Sequence, residues 1–230
     1  MAGSMESVAL VVFDMAGTTI QDAGQVPKAF TEVLLGHGIA ITEGELNALR
    51  GASKRDAIRH FAALYSPADI ERRTDRIFND FREHLSGLFR AGGVKPVEGA
   101  AATFTWLRGR GTKVALNTGF DRTIADLMVA AVGWQPAVDA VVCADDVAQG
   151  RPAPDLILKA MERTAVADAR RVMAVGDTVL DLRAGRNAGA GWVVGVLSGA
   201  HRRAQLEAEP HDHLIASVAE LPALFDARTL

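Results

Sequence analysis

The residues of this chain best equipped for chemistry stand at the ends of short apolar runs. Asp14 follows an apolar run at 8–13 and leads into Met15-Ala16-Gly17-Thr18-Thr19. Thr118, in Asn117-Thr118-Gly119, follows a second run. Arg151, in Gly150-Arg151-Pro152-Ala153-Pro154-Asp155, lies in the loop after a third. Asp177 and Asp181, in Gly176-Asp177-Thr178-Val179-Leu180-Asp181, follow a fourth. Three carboxylates brought together suit a hard cation with oxygen ligands, most naturally Mg²⁺. A hydroxyl and a guanidinium suit the non-bridging oxygens of a phosphoryl group. A carboxylate opposite a metal-held phosphorus can attack in line and give an aspartyl-phosphate. Gly17 lets the backbone turn sharply and bring N–H groups close to an anion. Each residue also has a plainer reading. Asp14 can cap the next element, Thr118 can be a helix N-cap, and Asp177 and Asp181 can be first-turn carboxylates favoured by a helix dipole. Arg151 can be a surface residue before Pro152. None of these explains the set.

The elements between these residues alternate. Strands are expected at 8–13, 113–116, 138–143, 172–175, 192–196 and 214–215. Helices are expected at 99–108 with Phe104 and Leu107 inward, 122–132, 154–164 with Leu158 and Met161 inward, 180–187 and 221–225. Regular βα alternation implies a parallel sheet with helices on both faces. Right-handed crossovers then set every strand's carboxyl end on one edge, where such sheets bind ligands. From 21 to 94 the pattern is helical: Phe30, Val33, Leu34; Ile58, Phe61, Ala62; Ile77, Phe78, Phe81, Leu85, Leu88. Gly36, Gly38, Gly51 and Pro67 punctuate it. The charge run at 71–76 reads as a solvated helix face. The expected fold is α/β, a doubly wound parallel Rossmann-like sheet with an all-helical cap inserted after the first strand. Its core would be 5–20 and 95–230, and its cap 21–94. The stretch 21–24 and Ala91-Gly92-Gly93 before Pro96 are the expected linkers, about which the cap moves.

Bulk properties narrow the function. The chain has 230 residues, is 49% hydrophobic and carries a formal charge of -3, so it has ample core and no basic footprint for nucleic acid. No apolar run reaches membrane-spanning length and no signal-peptide pattern opens the chain, so no membrane partner is expected. Cys143 is the only cysteine, which rules out an intrachain disulfide framework and fits a reducing cytosol. Its apolar run makes it a buried, inert thiol. Met1-Ala2-Gly3-Ser4 reads as an expression remnant before a native Met5. His211-Asp212-His213 alternates as a strand start would, but beside Pro210 it reads as structural. The remaining histidines form no ligand-spaced set. A homodimer stays open.

Taken in order, Asp14-Met15-Ala16-Gly17-Thr18, Thr118, Arg151 and Gly176-Asp177-Thr178-Val179-Leu180-Asp181 resemble the four motifs of the haloacid dehalogenase (HAD) superfamily. The resemblance spans nearly the whole chain, and the helical insert is similar to that superfamily's cap. Asp-x-Ala-Gly-Thr in the first motif, Arg151 where most relatives place lysine, and Gly185-Arg186-Asn187-Ala188-Gly189 resemble the phosphonatase (phosphonoacetaldehyde hydrolase) branch. The resemblance implies Asp14 as nucleophile and metal ligand, the Ala16 carbonyl as a further ligand, and Asp177 on Mg²⁺. It implies that Asp181 orients metal-bound water from the second shell. Thr118 and Arg151 would hold the phosphoryl group, with Gly17, Thr18 and Gly119 beside it.

Gly51-Ala52-Ser53-Lys54-Arg55-Asp56-Ala57-Ile58-Arg59 resembles the cap loop and helix that carry that branch's Schiff-base lysine, here Lys54. The chain departs from the branch twice. Ala57 stands where the branch has a histidine one turn after the lysine, and Gly24-Gln25-Val26 where it has a cysteine. His60 lies about 120° away from Lys54 around the helix and is a poor substitute. Three readings of Lys54 stay open: it forms an imine, it grips a substrate anion with Arg55 or Arg59 helping, or it is an ordinary solvated lysine at a helix N-terminus.

Ala16 is informative in its own right. Ordinary phosphatases of this superfamily place an aspartate there, which protonates a poor leaving group and later activates water. Alanine does neither, which favours a leaving group that needs no acid, such as carbon attached to an iminium sink. The expected activity is Mg²⁺-dependent hydrolysis of a small phosphonate or phosphate metabolite through an aspartyl-phosphate. A phosphomonoesterase and a low-turnover phosphate-binding protein are the alternatives.

Overall fold

The computed structural model describes residues 8–65 and 69–226. Met1-Ala2-Gly3-Ser4, Met5 and the break expected at Pro67 lie outside them. The centre is β1 (Leu10–Asp14), a strand buried along its whole length. A strand covered on both faces must be apolar at every position, which Leu10-Val11-Val12-Phe13 satisfies. Val11 and Phe13 pack into one core layer, Leu10 and Val12 into the other. This is the period-two alternation of a pleated strand.

Five further strands complete the sheet: β2 (Lys113–Asn117), β3 (Ala140–Val142), β4 (Val172–Gly176), β5 (Trp192–Val196) and β6 (His213–Ile215). Their order is β3-β2-β1-β4-β5-β6, and each neighbouring pair is parallel. The register sets the functional edge. Asp14 is level with Asn117, one residue before Thr118, and Phe13 is level with Val175, so Asp14 reaches the level just before Asp177.

Helices cover both faces. On one lie α5 (Ala100–Gly109), α6 (Arg122–Ala131) and α10 (Leu221–Asp226); on the other lie α7 (Asp155–Thr164), α8 (Val179–Asn187) and α9 (Arg203–Glu207). Phe104 of α5 stacks at a tilt on Phe13, with ring centroids 5.3 Å apart. Truncating a ring so enclosed costs about 3–5 kcal/mol.

Between β1 and α5 the chain forms α1 (Gln25–Gly36), α2 (Glu43–Ala48), α3 (Lys54–Tyr65) and α4 (Ile70–Gly92). Among the described residues no strand falls between 21 and 94. The long α4 buries Ile77, Phe81, Leu85 and Phe89, one stripe at four-residue spacing. Phe81 meets Phe30 of α1 at 4.5 Å between centroids. The α2 start is a capping box, Thr42 and Glu45 satisfying each other's backbone N–H. No helix among the described residues is long and apolar enough to cross a membrane.

Two expectations are corrected. Leu158 is not inward but 45% exposed; α7 buries Leu156, Ile157, Ala160 and Met161. The phase of that stripe puts Leu158 about 130° from its centre. The third strand is also shorter than its apolar run, because Cys143 leads into a turn of 3₁₀ helix at Ala144–Asp146. Cys143 is buried and its thiol is pushed up to about 12, chiefly by burial.

Candidate active site

Asp14, Asp177 and Asp181 come together at the carboxyl edge of the sheet, with one oxygen from each within 4.8 Å of the others. All three are buried. Asp14 sits there because β1 ends on it. Asp181 is placed by α8, whose N-cap is Thr178. The Thr178 hydroxyl accepts from the Asp181 backbone N–H, and the Asp181 carboxylate accepts from the Thr178 N–H at 3.0 Å. Burial, with the neighbouring carboxylates adding to it, lifts Asp177 to about 8. Burial likewise lifts Asp14 to about 6, against the pull of Arg151.

Arg151 enters this cluster from the loop before α7, with its side chain only 2% exposed. Its Nη2 lies 2.8 Å from Asp14 Oδ1, and its Nη1 donates to Asp181 Oδ1. The Nη2 approach is an ion pair out of line with the N–H direction, and neither Nη2 nor Nε has an aligned acceptor. A buried guanidinium with donors to spare is matched to a tetrahedral oxyanion. Its ion pairs keep it firmly charged.

Backbone and hydroxyl groups frame the carboxylates. Thr18 Oγ1 donates to Asp177 Oδ1 at 2.8 Å, and the Ala200 N–H donates to Asp177 Oδ2 at 2.7 Å. Gly17 adopts φ +96°, and a Cβ there would stand 2.5 Å from Asp177 Oδ2. That close approach explains the glycine better than chain flexibility does. Thr118 is buried beside the cluster, where its Oγ1 accepts from the Phe120 N–H at 3.2 Å. Ala16 lines the same crevice.

The wall opposite comes from the helical segment. Lys54, at the start of α3, lines the crevice with Asp14, Thr118, Gly119, Arg151 and Asp177. Its backbone N–H donates to the Gly119 carbonyl at 2.9 Å, and its Nζ donates to the Ala52 carbonyl at 3.2 Å. The ammonium rests 4.7 Å from the Phe120 ring centroid. Burial and the charge of Arg151 bring its pKa down to about 8, against the attraction of Asp14. The loop 51–54 lies directly on the core: a Cβ on Gly119 would meet the Ala52 carbonyl oxygen at 2.5 Å.

Arg55 and Arg59 are not brought into the crevice with Lys54. Arg55 pairs with Asp75 and Glu71 of α4, at 2.7 and 3.1 Å, and Arg59 with Glu71 at 2.6 Å. One residue past Lys54 is about 100° around the helix, which turns Arg55 to the flank. His211 and His213 stay structural: His211 Nδ1 contacts the Glu209 carbonyl, and His213 stacks on Trp192. Cys143, Asp145 and Asp146 form a second acidic group, but Asp146 is held by Arg122 and Arg163.

Several lining residues carried no signal in the sequence. Asp22 and Arg50 form an ion pair at 2.5 Å within the crevice wall. Phe120 forms the floor under Lys54. Behind the wall, outside the lining itself, His201 in the loop after β5 accepts from the Val179 N–H at Nδ1 and hydrogen-bonds the Asn47 backbone, tying α2 to α8. Only the adjacency of Phe120 to Thr118-Gly119 could have singled it out.

The comparisons with known proteins agree with this geometry. Residues 8–189 match the model of the haloacid dehalogenase-like hydrolase family. The chain is 34% identical over 204 residues to phosphonoacetaldehyde hydrolase of Hahella chejuensis, covering 81% of this chain and 67% of that protein. It is 30% identical over 217 residues to the enzyme of the same name from Bacillus cytotoxicus, covering 86% and 79%. A phosphonoacetaldehyde hydrolase-like protein from Oleispira antarctica superposes with a TM-score of 0.83 at 25% identity, covering 98% of this chain and 93% of that one. A hydrolase from Pseudomonas syringae shares the fold with a TM-score of 0.85 at 22% identity, covering 96% and 100%. The chain belongs to the haloacid dehalogenase-like hydrolases and is an enzyme of that class.

Proposed function

We propose that the protein is a Mg²⁺-dependent phosphonatase that cleaves the P–C bond of a small oxo-phosphonate through an aspartyl-phosphate on Asp14. The observation that carries this reading is the pairing across one crevice of Asp14 with the half-buried amine of Lys54, which burial holds at about 8. The named relatives at 30–34% identity support it, since their names state an activity on phosphonoacetaldehyde. In this reading residues 5–20 and 95–230 form the catalytic core, and 21–94 form a cap that encloses the substrate.

The carboxylate cluster fits a hard divalent cation. Three buried carboxylates share one corner, and Asp14 and Asp181 have Arg151 while Asp177 has only the neutral donors Thr18 and Ala200. Asp14 and Asp177, with the Ala16 carbonyl, would hold Mg²⁺, and Asp181 would orient its water. Bound there, the ion supplies charge neutralisation and draws electron density from the phosphoryl oxygens.

The chain's own groups then divide the work. Arg151 and Thr118 hold the phosphoryl oxygens, with the turn at Gly17 and Thr18 and the Gly119 backbone beside them. Lys54, as the free amine, adds to the substrate carbonyl; with one proton taken from solvent, the adduct loses water to give an iminium. Asp14 Oδ forms a bond to phosphorus as the P–C bond breaks, and that electron pair passes into the iminium to leave an enamine. Water then attacks the aspartyl-phosphate and releases phosphate. The enamine takes a proton on carbon, and hydrolysis of the imine returns Lys54 and the aldehyde. The sum is oxo-phosphonate plus water to carbonyl compound plus phosphate. No step needs an acid at Ala16.

The test is phosphate release from 2-oxoethylphosphonate and from alkyl phosphate esters, with and without Mg²⁺, together with borohydride trapping. The reading expects Mg²⁺-dependent release from the phosphonate and a reduced adduct on Lys54. Release from the esters alone would replace it with a phosphomonoesterase. Binding of phosphate without release from either would replace it with a binding protein.

A further inference from the structure

One ion pair in the crevice wall takes no part in the chemistry at Asp14 and Lys54. Arg50 and Asp22 both line the crevice, with side chains 23% and 15% exposed, and meet at 2.5 Å between Nη1 and Oδ2. A pair so enclosed adds little net stability, because desolvation offsets most of its attraction. Carbon of the same volume would pack there as well, so the pair calls for a reason other than packing.

Both partners are fixed. Asp22 stands in the linker that follows β1. The Gln21 N–H beside it donates to the Lys95 carbonyl at 2.9 Å, and Asp22 Oδ1 accepts from the Gly24 N–H at 3.1 Å. Arg50 follows α2, its N–H donating to the Asn47 carbonyl at 3.2 Å and its Nε to Asn47 Oδ1 at 3.3 Å. Two residues on, the Ala52 N–H donates to the Leu49 carbonyl at 3.1 Å, and the Ala52 carbonyl accepts from Lys54 Nζ at 3.2 Å. The contacts run unbroken from the linker through Arg50 to the seat of the ammonium.

The pair also bears on Lys54 by charge. The crevice is small, about 50 Å³, so little water screens the groups that line it. The charged side chains acting on the amine are Arg151 and Asp14 from the sheet edge and Asp22 and Arg50 from the side of the helical layer. Arg50 drives the proton off and Asp22 holds it on. Bound to each other, the two oppose one another at Nζ, and burial and the sheet edge are left to set the proton affinity.

We propose that Asp22 and Arg50 are positioning residues for the Lys54 amine: their ion pair holds the turn that seats it and cancels the charge that either partner alone would impose on it. The use made of the amine rests on the phosphonatase reading, but its seat and its charge balance can be read without turnover.

The experiment titrates the Lys54 side chain by NMR, on the full chain with Mg²⁺ and lysine isotope-labelled at Cε, the signal being assigned with Lys54→Arg. Alongside it, pH profiles of kcat/KM are taken on 2-oxoethylphosphonate and on an aryl phosphate. Asp22→Asn keeps the shape of the pair and removes its negative charge, so the Lys54 midpoint should fall by about half a pH unit or more. Arg50→Gln should raise it by about as much, and the double variant should bring it back close to wild type. Arg50→Lys keeps the charge but loses the planar two-point hold on Asp22 and Asn47. Its midpoint should stay in place while kcat on the phosphonate falls several-fold and the aryl phosphate is spared. In every variant the limb of the phosphonate profile should move with the NMR midpoint. Midpoints that stay together in Asp22→Asn and Arg50→Gln, or move in the same direction, overturn the inference. Equal losses on both substrates with the midpoint unmoved also overturn it, and make the pair a staple of the fold. If Arg50→Gln does not fold, Asp22→Asn and Arg50→Lys, each close in size to the residue replaced, decide the matter. Opposed midpoints without phosphate release from the oxo-phosphonate sink the phosphonatase reading and leave the charge balance standing. Lys54-dependent release with unmoved midpoints does the reverse.

Discussion

The two walls of the crevice are built on opposite plans. The sheet edge supplies charge: Asp14, Asp177, Asp181 and Arg151 are all buried, and each is held by a neighbour in the cluster or by a backbone donor. The helical wall supplies carbon, one internal ion pair and the single unpaired-by-carboxylate amine of Lys54. The difference teaches where each property must reside. Groups that stabilise charge in a reaction need fixed positions, and strand ends locked by five parallel pairings give them. Groups that select a substrate need to enclose it and to release it, and a helical layer joined through 21–24 and 93–96 suits that task.

The sharpest way to break this division is at Asp14. Asp14→Asn should lower phosphate release by at least about 10⁴-fold on every substrate, since the amide is a poor nucleophile. Circular dichroism should show the fold intact. Substantial turnover in that variant would remove the covalent step altogether.

The next largest effect belongs to the helical wall. Lys54→Arg should lower kcat/KM on 2-oxoethylphosphonate by about 10²–10⁴-fold, while an aryl phosphate, which needs no imine, should lose much less. Wild-type kcat/KM on the phosphonate should climb with pH, reach half its maximum near pH 8 and level off about one unit higher, as Lys54, held at about 8, gives up its proton. The aryl phosphate should lack that limb. Equal losses on both substrates would make Lys54 a phosphate grip belonging to the charged wall.

A stability measurement sharpens the account of the charged wall. Asp14 at about 6 and Asp177 at about 8 hold protons in the folded chain that the unfolded chain releases near pH 4. In EDTA the melting temperature should therefore fall as pH rises from about 4 to about 8. Lys54 has the opposite sign: its folded pKa is depressed, so its contribution rises only above about 8. Added Mg²⁺ should raise the melting temperature most at the upper end of the first window, because binding displaces those protons. A melting temperature unmoved by Mg²⁺ at pH 8 would refute the carboxylate cluster as a cation site.

The smallest effect is expected at Arg55. Its partners Asp75 and Glu71 are exposed, and solvent screening leaves such surface pairs little weight in stability. Arg55→Ala should change kcat/KM less than about twofold and shift the melting temperature by a few degrees at most. A tenfold loss in kcat/KM would return Arg55 to the substrate wall, against its place on the flank of α3.

Much of the charged wall was legible because the signals are local. An apolar run that stops at Asp14, and another that stops before Thr118, mark strand ends whatever else the chain does. Parallel topology then carries those ends to one edge, where Asp177 follows β4 and Asp181 stands in the first turn of α8, either side of the Thr178 N-cap. The helical wall was legible only in part. Lys54 was found through the segment around it, but the same segment suggested Arg55 and Arg59, which helical phase and the acidic face of α4 draw away. Leu158 failed for a related reason: two apolar positions three apart do not fix the centre of a buried stripe, which here lies near Ile157 and Ala160.

By itself the sequence determined the order of strands and helices, the strand-end carboxylates and the absence of an acid at Ala16, all of which depend on residue type and near neighbours. Only the tertiary structure decided what faces what. It brought Asp22 to Arg50 across 28 positions, Lys54 over Phe120, and Ala200 onto Asp177. Contacts of that kind depend on loop closure and on how the helical layer rests against the sheet edge, and no local spacing encodes either. The proton affinities follow the same division: Lys54 and Asp177 are ordinary side chains in the unfolded chain, and burial against named neighbours shifts both to about 8.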